Sequence, residues 1–427
     1  MRRYAILAIA ALLVAVNANA VDMHGYFRNA VGGSSAGGDQ VTFKNAGQDY
    51  KLRLGNEDNW SEFEFDQLLL KDKNGVEWSM GWMPGFGMGF DGAKDITGIT
   101  GIQQEFIRAT FPQLGGATVW GGLRYYHRSA NDIIDYFYMN ESNAGVGIED
   151  LDMGFGKLAI ALFRVNPTKE GAGVVYWQPD VRFEGIPVNP GGTLNIAVLA
   201  KIRTWNKNLL GDKATVAPDT QDFSPFIMVK HSQSGILNGG NNQAVTFKTG
   251  CFVGINGNLA DVKGSALTDA EKIPDCHKDL RMLTVSEDLT LNPTKQFSIV
   301  LSGMFQNTQF PIGGGEKKSL TSYYVGTRPL FKVADHFAIQ GDLGYFSNKS
   351  TVSGDKARTM IKGTIAPTIT PFTDGFYSAH SAPEIRFYAT YASWTKEQRA
   401  TTGNTFGEAG KDVTNGFTFG TQVEAWF

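Results

Sequence analysis

Phe417-Thr418-Phe419-Gly420-Thr421-Gln422-Val423-Glu424-Ala425-Trp426-Phe427 is the last stretch of the chain. On an extended backbone Phe417, Phe419, Val423 and Phe427 fall on one side, and Thr418, Gln422, Glu424 and Trp426 on the other, because successive strand side chains point to opposite faces. A half-buried strand of a soluble sandwich alternates in the same way. Three companions tip the balance towards a membrane barrel: alternating segments of about ten residues, a terminal Phe, and a secretory leader at the other end. Lipid offers no partner to an open sheet edge, so a sheet in this setting closes on itself.

The period of two recurs upstream. Val21, Met23, Gly25 and Phe27 oppose Asp22, His24, Tyr26 and Arg28; Leu52 and Leu54 oppose Lys51 and Arg53; Phe63, Phe65 and Leu69 oppose Trp60, Glu62, Glu64 and Asp66. Leu194, Ile196, Val198 and Ile202 oppose Asn195, Lys201 and Arg203, while Phe297, Ile299 and Leu301 oppose Ser298 and Ser302. The apolar side is expected to meet acyl chains and the polar side a water-filled lumen. Asn189-Pro190-Gly191-Gly192 reads as a tight turn. Met139 to Gly147, Gly313-Gly314-Gly315 with Glu316-Lys317-Lys318, and Thr395 to Thr414 read as longer polar connections. About 22 to 25 residues per strand and connection gives roughly 16 to 18 strands, enough to leave an aqueous channel. No linker divides the chain into two domains.

Met1-Arg2-Arg3, the apolar run Ala5 to Val16 and the small-x-small Ala18-Asn19-Ala20 together have the form of a secretory signal peptide. Residues 1–20 are therefore expected to be removed, and 21–427 to form the barrel. Losing Arg2 and Arg3 changes 39 basic against 42 acidic residues to 37 against 42. That small acidic excess gives no support to nucleic-acid binding, and the 12% aromatic content argues against disorder. Beyond the leader, no apolar run is long enough to span a membrane as a helix. Cys251 and Cys276 are the only thiols, and in an exported chain they are expected to form one disulfide closing a long polar external loop. No metal spacing or cofactor motif is seen: there is no H-E-x-x-H, and the six histidines, at 24, 127, 231, 277, 336 and 380, are scattered. Gly33-Ser34-Ser35-Ala36-Gly37 fits G-x-S-x-G formally, but no helix pattern follows it, and it is read as a chance match.

A series of motifs carries a resemblance. Val21-Asp22-Met23-His24-Gly25-Tyr26, Arg53-Leu54-Gly55-Asn56-Glu57, Met153-Gly154-Phe155-Gly156-Lys157-Leu158, Asn189-Pro190-Gly191-Gly192-Thr193-Leu194, His231-Ser232-Gln233-Ser234, Gly326-Thr327-Arg328-Pro329, Ala389-Thr390-Tyr391-Ala392 and the ending Glu424-Ala425-Trp426-Phe427 resemble, in order, the maltoporin family of sugar-specific porins. The resemblance covers essentially the whole chain from Val21. It implies an 18-stranded outer-membrane barrel of a Gram-negative bacterium, a homotrimer, and a third loop folded inward as a constriction. It also implies guided diffusion of maltodextrins or related oligosaccharides past aromatic rings flanked by charged groups. Phage enters as a possible partner of the external loops on the same basis.

Carried over position by position, Tyr26, Trp60 and Trp426 match the aromatic path, and Arg28, Arg53 and Glu62 its polar flank. Arg128 and Asp135 match charged constriction positions, and Phe137 stands where the family usually has a Tyr, so one hydroxyl is lost there. Other positions depart from the pattern: His380 replaces an aromatic, no aromatic lies near Gly239-Gly240, and Ala130 and Asp132 replace an acidic residue and a His. Phe86 or Phe90 is the candidate for a Trp of the second loop. The same side chains have plainer readings. Tyr26 and Trp426 suit an interface girdle of aromatics, and the three arginines suit wall ion pairs.

Three functions follow in descending order. The first is a passive, saturable sugar channel without catalytic chemistry. The second is a general diffusion porin with little sugar preference. The third is an exported carbohydrate-active enzyme or outer-membrane hydrolase, for which Glu62 and Asp135 would be the nominal carboxylate pair.

Overall fold

The computed structural model describes residues 21–55, 59–88, 101–165, 174–205, 219–263, 267–268, 271–274, 276–312, 316–352, 356–371, 383–398 and 413–427. The expected leader, Phe90 and His380 lie outside them. Among the described residues the chain forms β1 (Asp22–Ser34), β2 (Asn59–Lys71), β3 (Glu77–Met88), β4 (Gly101–Phe111), β5 (Ala117–Arg124), β6 (Ser129–Asn131), β7 (Tyr136–Met139), β8 (Asn143–Asp152), β9 (Lys157–Val165) and β10 (Val174–Asn189). It continues through β11 (Gly192–Trp205), β12 (Phe223–Ile236), β13 (Gly239–Thr249), β14 (Arg281–Thr294), β15 (Phe297–Ile312), β16 (Glu316–Ala334), β17 (Phe337–Ser350), β18 (Arg358–Ile369), β19 (Glu384–Trp394) and β20 (Asn415–Trp426).

All of these except β6 and β7 belong to a single 18-stranded antiparallel sheet. Each strand pairs with its neighbour in the chain, and β1 pairs with β20 through Tyr26↔Trp426 to Ser34↔Thr418, which closes the barrel. At the seam, the Gly25 amide donates to the Phe427 carbonyl at 2.8 Å and the Phe427 amide donates to the Gly25 carbonyl at 3.0 Å. β20 is thus the strand that closes the barrel.

The sheet is inside-out relative to a soluble core. On β18, Ile361 and Ile365 are 53% and 56% exposed, while Lys362 and Thr368 are 0% and 2% exposed. Val198, Val245, Leu301, Leu343 and Phe387 continue the outward apolar band on neighbouring strands. An apolar face this extensive is stable only against lipid. Buried charge is paired on the inner face: Arg328 with Asp342 at 2.6 Å, Arg182 with Asp180 at 2.5 Å, and Arg386 with both Glu384 and Glu424. Paired burial avoids the large cost of an isolated desolvated charge.

Connections alternate between long and short from β1 to β15; beyond it the links at 313–315 and 335–336 are both short, and those at 351–357, 370–383 and 395–414 are longer. The short ones include the turn at 190–191, where Gly191 has φ +77° and closes the Asn189↔Gly192 pair. Three sequence expectations need correction. Leu52 and Leu54 do not belong to a wall strand; they lie in the connection from β1 to β2 and are buried. There the amides of Lys51 and Arg53 donate to the carbonyls of Ile134 and Ile133 at 3.1 and 2.9 Å, and Lys362 Nζ donates to the Leu52 carbonyl at 2.8 Å. Extended backbone alternates whether or not it joins a sheet, which is why the pattern misled. The stretch from Met139 to Gly147 is not all loop, since β8 starts at Asn143, and Glu316 to Lys318 already belong to β16. Their polar composition reflects strand ends beyond the apolar band.

The Cys251–Cys276 disulfide is formed and spans much of the 250–280 connection, which also holds a short helix, Asn256–Lys263. That helix reaches the first connection through Asn258, whose amide donates to Asp49 at 3.2 Å, and through Asp261, which pairs with Lys44 at 3.3 Å.

Candidate functional site

The site starts from strand register. Tyr26 on β1 faces Glu62 on β2 and Trp426 on β20, and Arg28, two residues on, faces Trp60 and Glu424. Residues two apart share a face, so three adjacent strands present six side chains side by side. The Tyr26 and Trp426 rings lie 4.9 Å apart at 34°. Glu424 is the polar hub of the group: it accepts from Tyr26 Oη at 2.7 Å and pairs with Arg53 and Arg386. Arg53 comes from the first connection, not from a strand. Its guanidinium donates to Tyr26 Oη at 2.6 Å and lies 5.3 Å from the centre of the Trp426 ring. Arg28 donates to the same hydroxyl at 3.2 Å.

The second half of the site comes from the third connection, counting the long ones alone, which runs from β5 to β8. Its ribbon, β6 with β7, is tied to distant strands through Asn131, whose amide donates to Ser302 Oγ at 2.9 Å and Ser286 Oγ at 3.2 Å. Ile133 and Ile134 pack with Phe43, Tyr50 and Leu52 of the first connection against β15 to β19. With that side of the ribbon anchored, Arg128 and Phe137 are left exposed. The Arg128 guanidinium sits 3.6 Å from the Tyr125 ring centre and 4.9 Å from that of Phe137. Tyr125 Oη lies 2.8 Å from Glu62 Oε1 and 2.7 Å from Gln103 Oε1, so its single proton serves one of them at a time. Asp135 follows a short turn with φ +52°.

Tyr26, Arg28, Arg53, Trp60, Glu62, Arg128, Asp135, Phe137 and Trp426, the nine residues nominated from sequence, line one cavity of about 660 Å³. It lies on the side nearer the long connections. A second cavity of about 790 Å³ shares Tyr26, Glu62, Tyr125, Arg128, Phe137 and Trp426 with it and continues to His24, Glu64 and Arg108, nearer the short turns. A third, of about 340 Å³, shares Arg108 and reaches Asp22 and Asp150 at the strand ends. The three adjoin through common walls along β20 and β1 to β5, with the Tyr125-Arg128-Phe137 stack where the first two meet.

The residues missed from sequence are Tyr125, Gln103 and Glu424. Tyr125 precedes Arg128 by three residues in a segment that shows no alternation, so nothing local assigns it a direction. Glu424 was on the polar side of the last strand, but its three partners lie 371, 398 and 38 residues away. Among the described residues no group of His, Cys, Asp and Glu is arranged to hold a metal.

The LamB porin family matches residues 21–427. The chain belongs to that family. It is therefore a Gram-negative outer-membrane porin, crossing the membrane with strands; among the described residues no helix is long and apolar enough to do so. The family and fold are those of a channel. Solved structures similar to this porin include the anion-selective porin from Comamonas acidovorans, 9% identical with a TM-score of 0.42, matching 96% of this chain and 99% of that one. Salmonella typhi OmpF in complex with daunomycin is 8% identical with a TM-score of 0.44, matching 95% and 97%. Pseudomonas putida OprB is 11% identical with a TM-score of 0.41, matching 98% and 96%.

Proposed function

We propose that this porin is sugar-specific and conducts maltodextrins or related oligosaccharides across the outer membrane by facilitated diffusion, as a homotrimer whose 1–20 leader is removed on export. The observation that carries this is the convergence of nine side chains from five separate places in the chain on one cavity. A pyranose ring has apolar C–H faces and an equator of hydroxyls. Tyr26, Trp60 and Trp426 offer faces on which such a ring can slide, each contact contributing about 0.5–1.5 kcal/mol. Arg28, Arg53, Glu62 and Asp135 flank them with charged donors and acceptors that match hydroxyls. Weak contacts in series favour entry without trapping, which is the condition for flux. In this reading the third connection is the inward constriction, and Phe137 contributes a ring edge to it but no hydrogen bond.

The test is liposome swelling with solutes of equal mass. Maltotriose is expected to enter several-fold faster than raffinose, a trisaccharide of the same mass whose bent linkage and fructofuranose ring keep its rings from lying along one aromatic path. Equal rates would mean a general diffusion pore.

A further inference from the structure

His127 lies at the root of the third connection, immediately before Arg128, in the left-handed region at φ +44°. Its Nδ1 is 2.8 Å from Glu184 Oε1 on β10, and its Nε2 is 3.0 Å from Glu149 Oε2 on β8. Ionised carboxylates only accept, so both contacts are hydrogen bonds only when both ring nitrogens carry protons, that is, as an imidazolium. The backbone at this position is held as well: Arg182 on β10, paired with Asp180, donates to the His127 carbonyl at 2.9 Å. Arg124 at the end of β5 holds the other oxygen of Glu149 at 2.8 Å. The charged groups facing His127 are thus Glu149 from β8, Glu184, Asp180 and Arg182 from β10, and Arg124 from β5, with the Tyr126 ring at 4.5 Å on its own segment.

We infer that His127 is a positioning residue: as an imidazolium it ties the third connection to two wall strands, and thereby fixes the neighbouring Arg128 between Tyr125 and Phe137 where the two larger cavities meet. Neutral imidazole has one N–H, so deprotonation surrenders one of the two bonds and leaves the two carboxylates less compensated. Burial pulls the imidazolium towards deprotonation, but its hydrogen bonds to Glu149 and Glu184 outweigh that and hold the group up at about 9. For a group raised in this way the clamp is complete below about pH 6.5, its free-state value, and is lost as pH rises through about 9.

The inference rests on the proposed path only for its consequence to sugar, so the primary readout is ionic. Single-channel conductance and open-channel noise in planar bilayers, recorded from pH 6 to 10.5, are expected to change with a midpoint near pH 9. His127→Gln should abolish that transition and show at pH 7 the noise that the unaltered porin shows above pH 9. Glu184→Gln, which removes one negative charge beside the imidazolium and leaves the barrel pairing intact, should move the midpoint down by about one unit. The imidazole signal absent from His127→Gln spectra of the micellar porin should titrate over the same range. An alkaline transition that survives His127→Gln, or a porin with no transition at all, overturns the inference. A transition at pH 9 in a channel that no sugar blocks would sustain the clamp and refute the sugar reading instead.

Discussion

Glu424 shows how one side chain organises the site. It is 2% exposed, yet it faces two guanidiniums and a phenol. Replacing it with Gln leaves Arg53 and Arg386 short of a counter-charge, a loss of about 3–5 kcal/mol for a broken buried pair. Glu424→Gln is accordingly expected to lower the detergent unfolding temperature and to free Arg53 from the Tyr26 hydroxyl; unchanged stability would show that Glu384 alone compensates Arg386. The indole rings of Trp60 and Trp426 behave differently, because each offers an apolar face to the cavity and neither carries a charge. Trp60→Ala and Trp426→Ala should each weaken sugar block about two- to tenfold, the equivalent of one stacking contact, with ion conductance equal or higher. Unaltered block in both would remove these rings from the path. Tyr26, Trp60 and Trp426 were legible in the sequence because each sits on the polar side of an alternating strand, where a large ring is out of place unless it faces the lumen or a girdle. Tyr125 was not, since its direction depends on a non-repeating segment held from a distance.

Strands and their connections differ in how far local pattern reveals them. Outward Val, Ile, Leu and Phe made the wall strands readable, and Asn189-Pro190-Gly191-Gly192 announced its own turn. The first and third connections were harder. Their apolar residues, Phe43, Tyr50, Leu52, Ile133 and Ile134, form a small buried cluster with residues of β15 to β19, and nothing in their spacing tells such a cluster from a lipid-facing strand. The strand β5 carries a further constraint invisible in composition. Gly122 has φ +136°, and a Cβ there would come within 2.2 Å of the Glu105 carbonyl oxygen and 2.6 Å of Phe106 Cα on β4. Backbone cannot yield as a flexible side-chain tip does, so Gly122→Ala should cost at least about 2 kcal/mol, from strain in the left-handed region plus the clash. Heat-modified electrophoretic mobility of the folded barrel would report this, and a wild-type unfolding temperature would show that β4 and β5 can part there.

The whole barrel is asymmetric inside. Apolar residues of the first and third connections pack against β15 to β19, and the adjoining cavities are lined mainly from β20 and β1 to β5. Tyr26, Trp60 and Trp426 lie on three adjacent wall strands, and the connections bring Arg53, Arg128 and Asp135 to the same cavity, an arrangement consistent with the proposed path for a stacked, hydroxyl-rich solute. The measurement to make is single-channel current in planar bilayers while maltose, maltotriose, sucrose and a β-linked glucoside are titrated in. Saturable block that tightens from maltose to maltotriose is the expected result, because a longer chain engages more of the aromatic wall. Open channels that none of the four sugars blocks would refute a sugar-specific path.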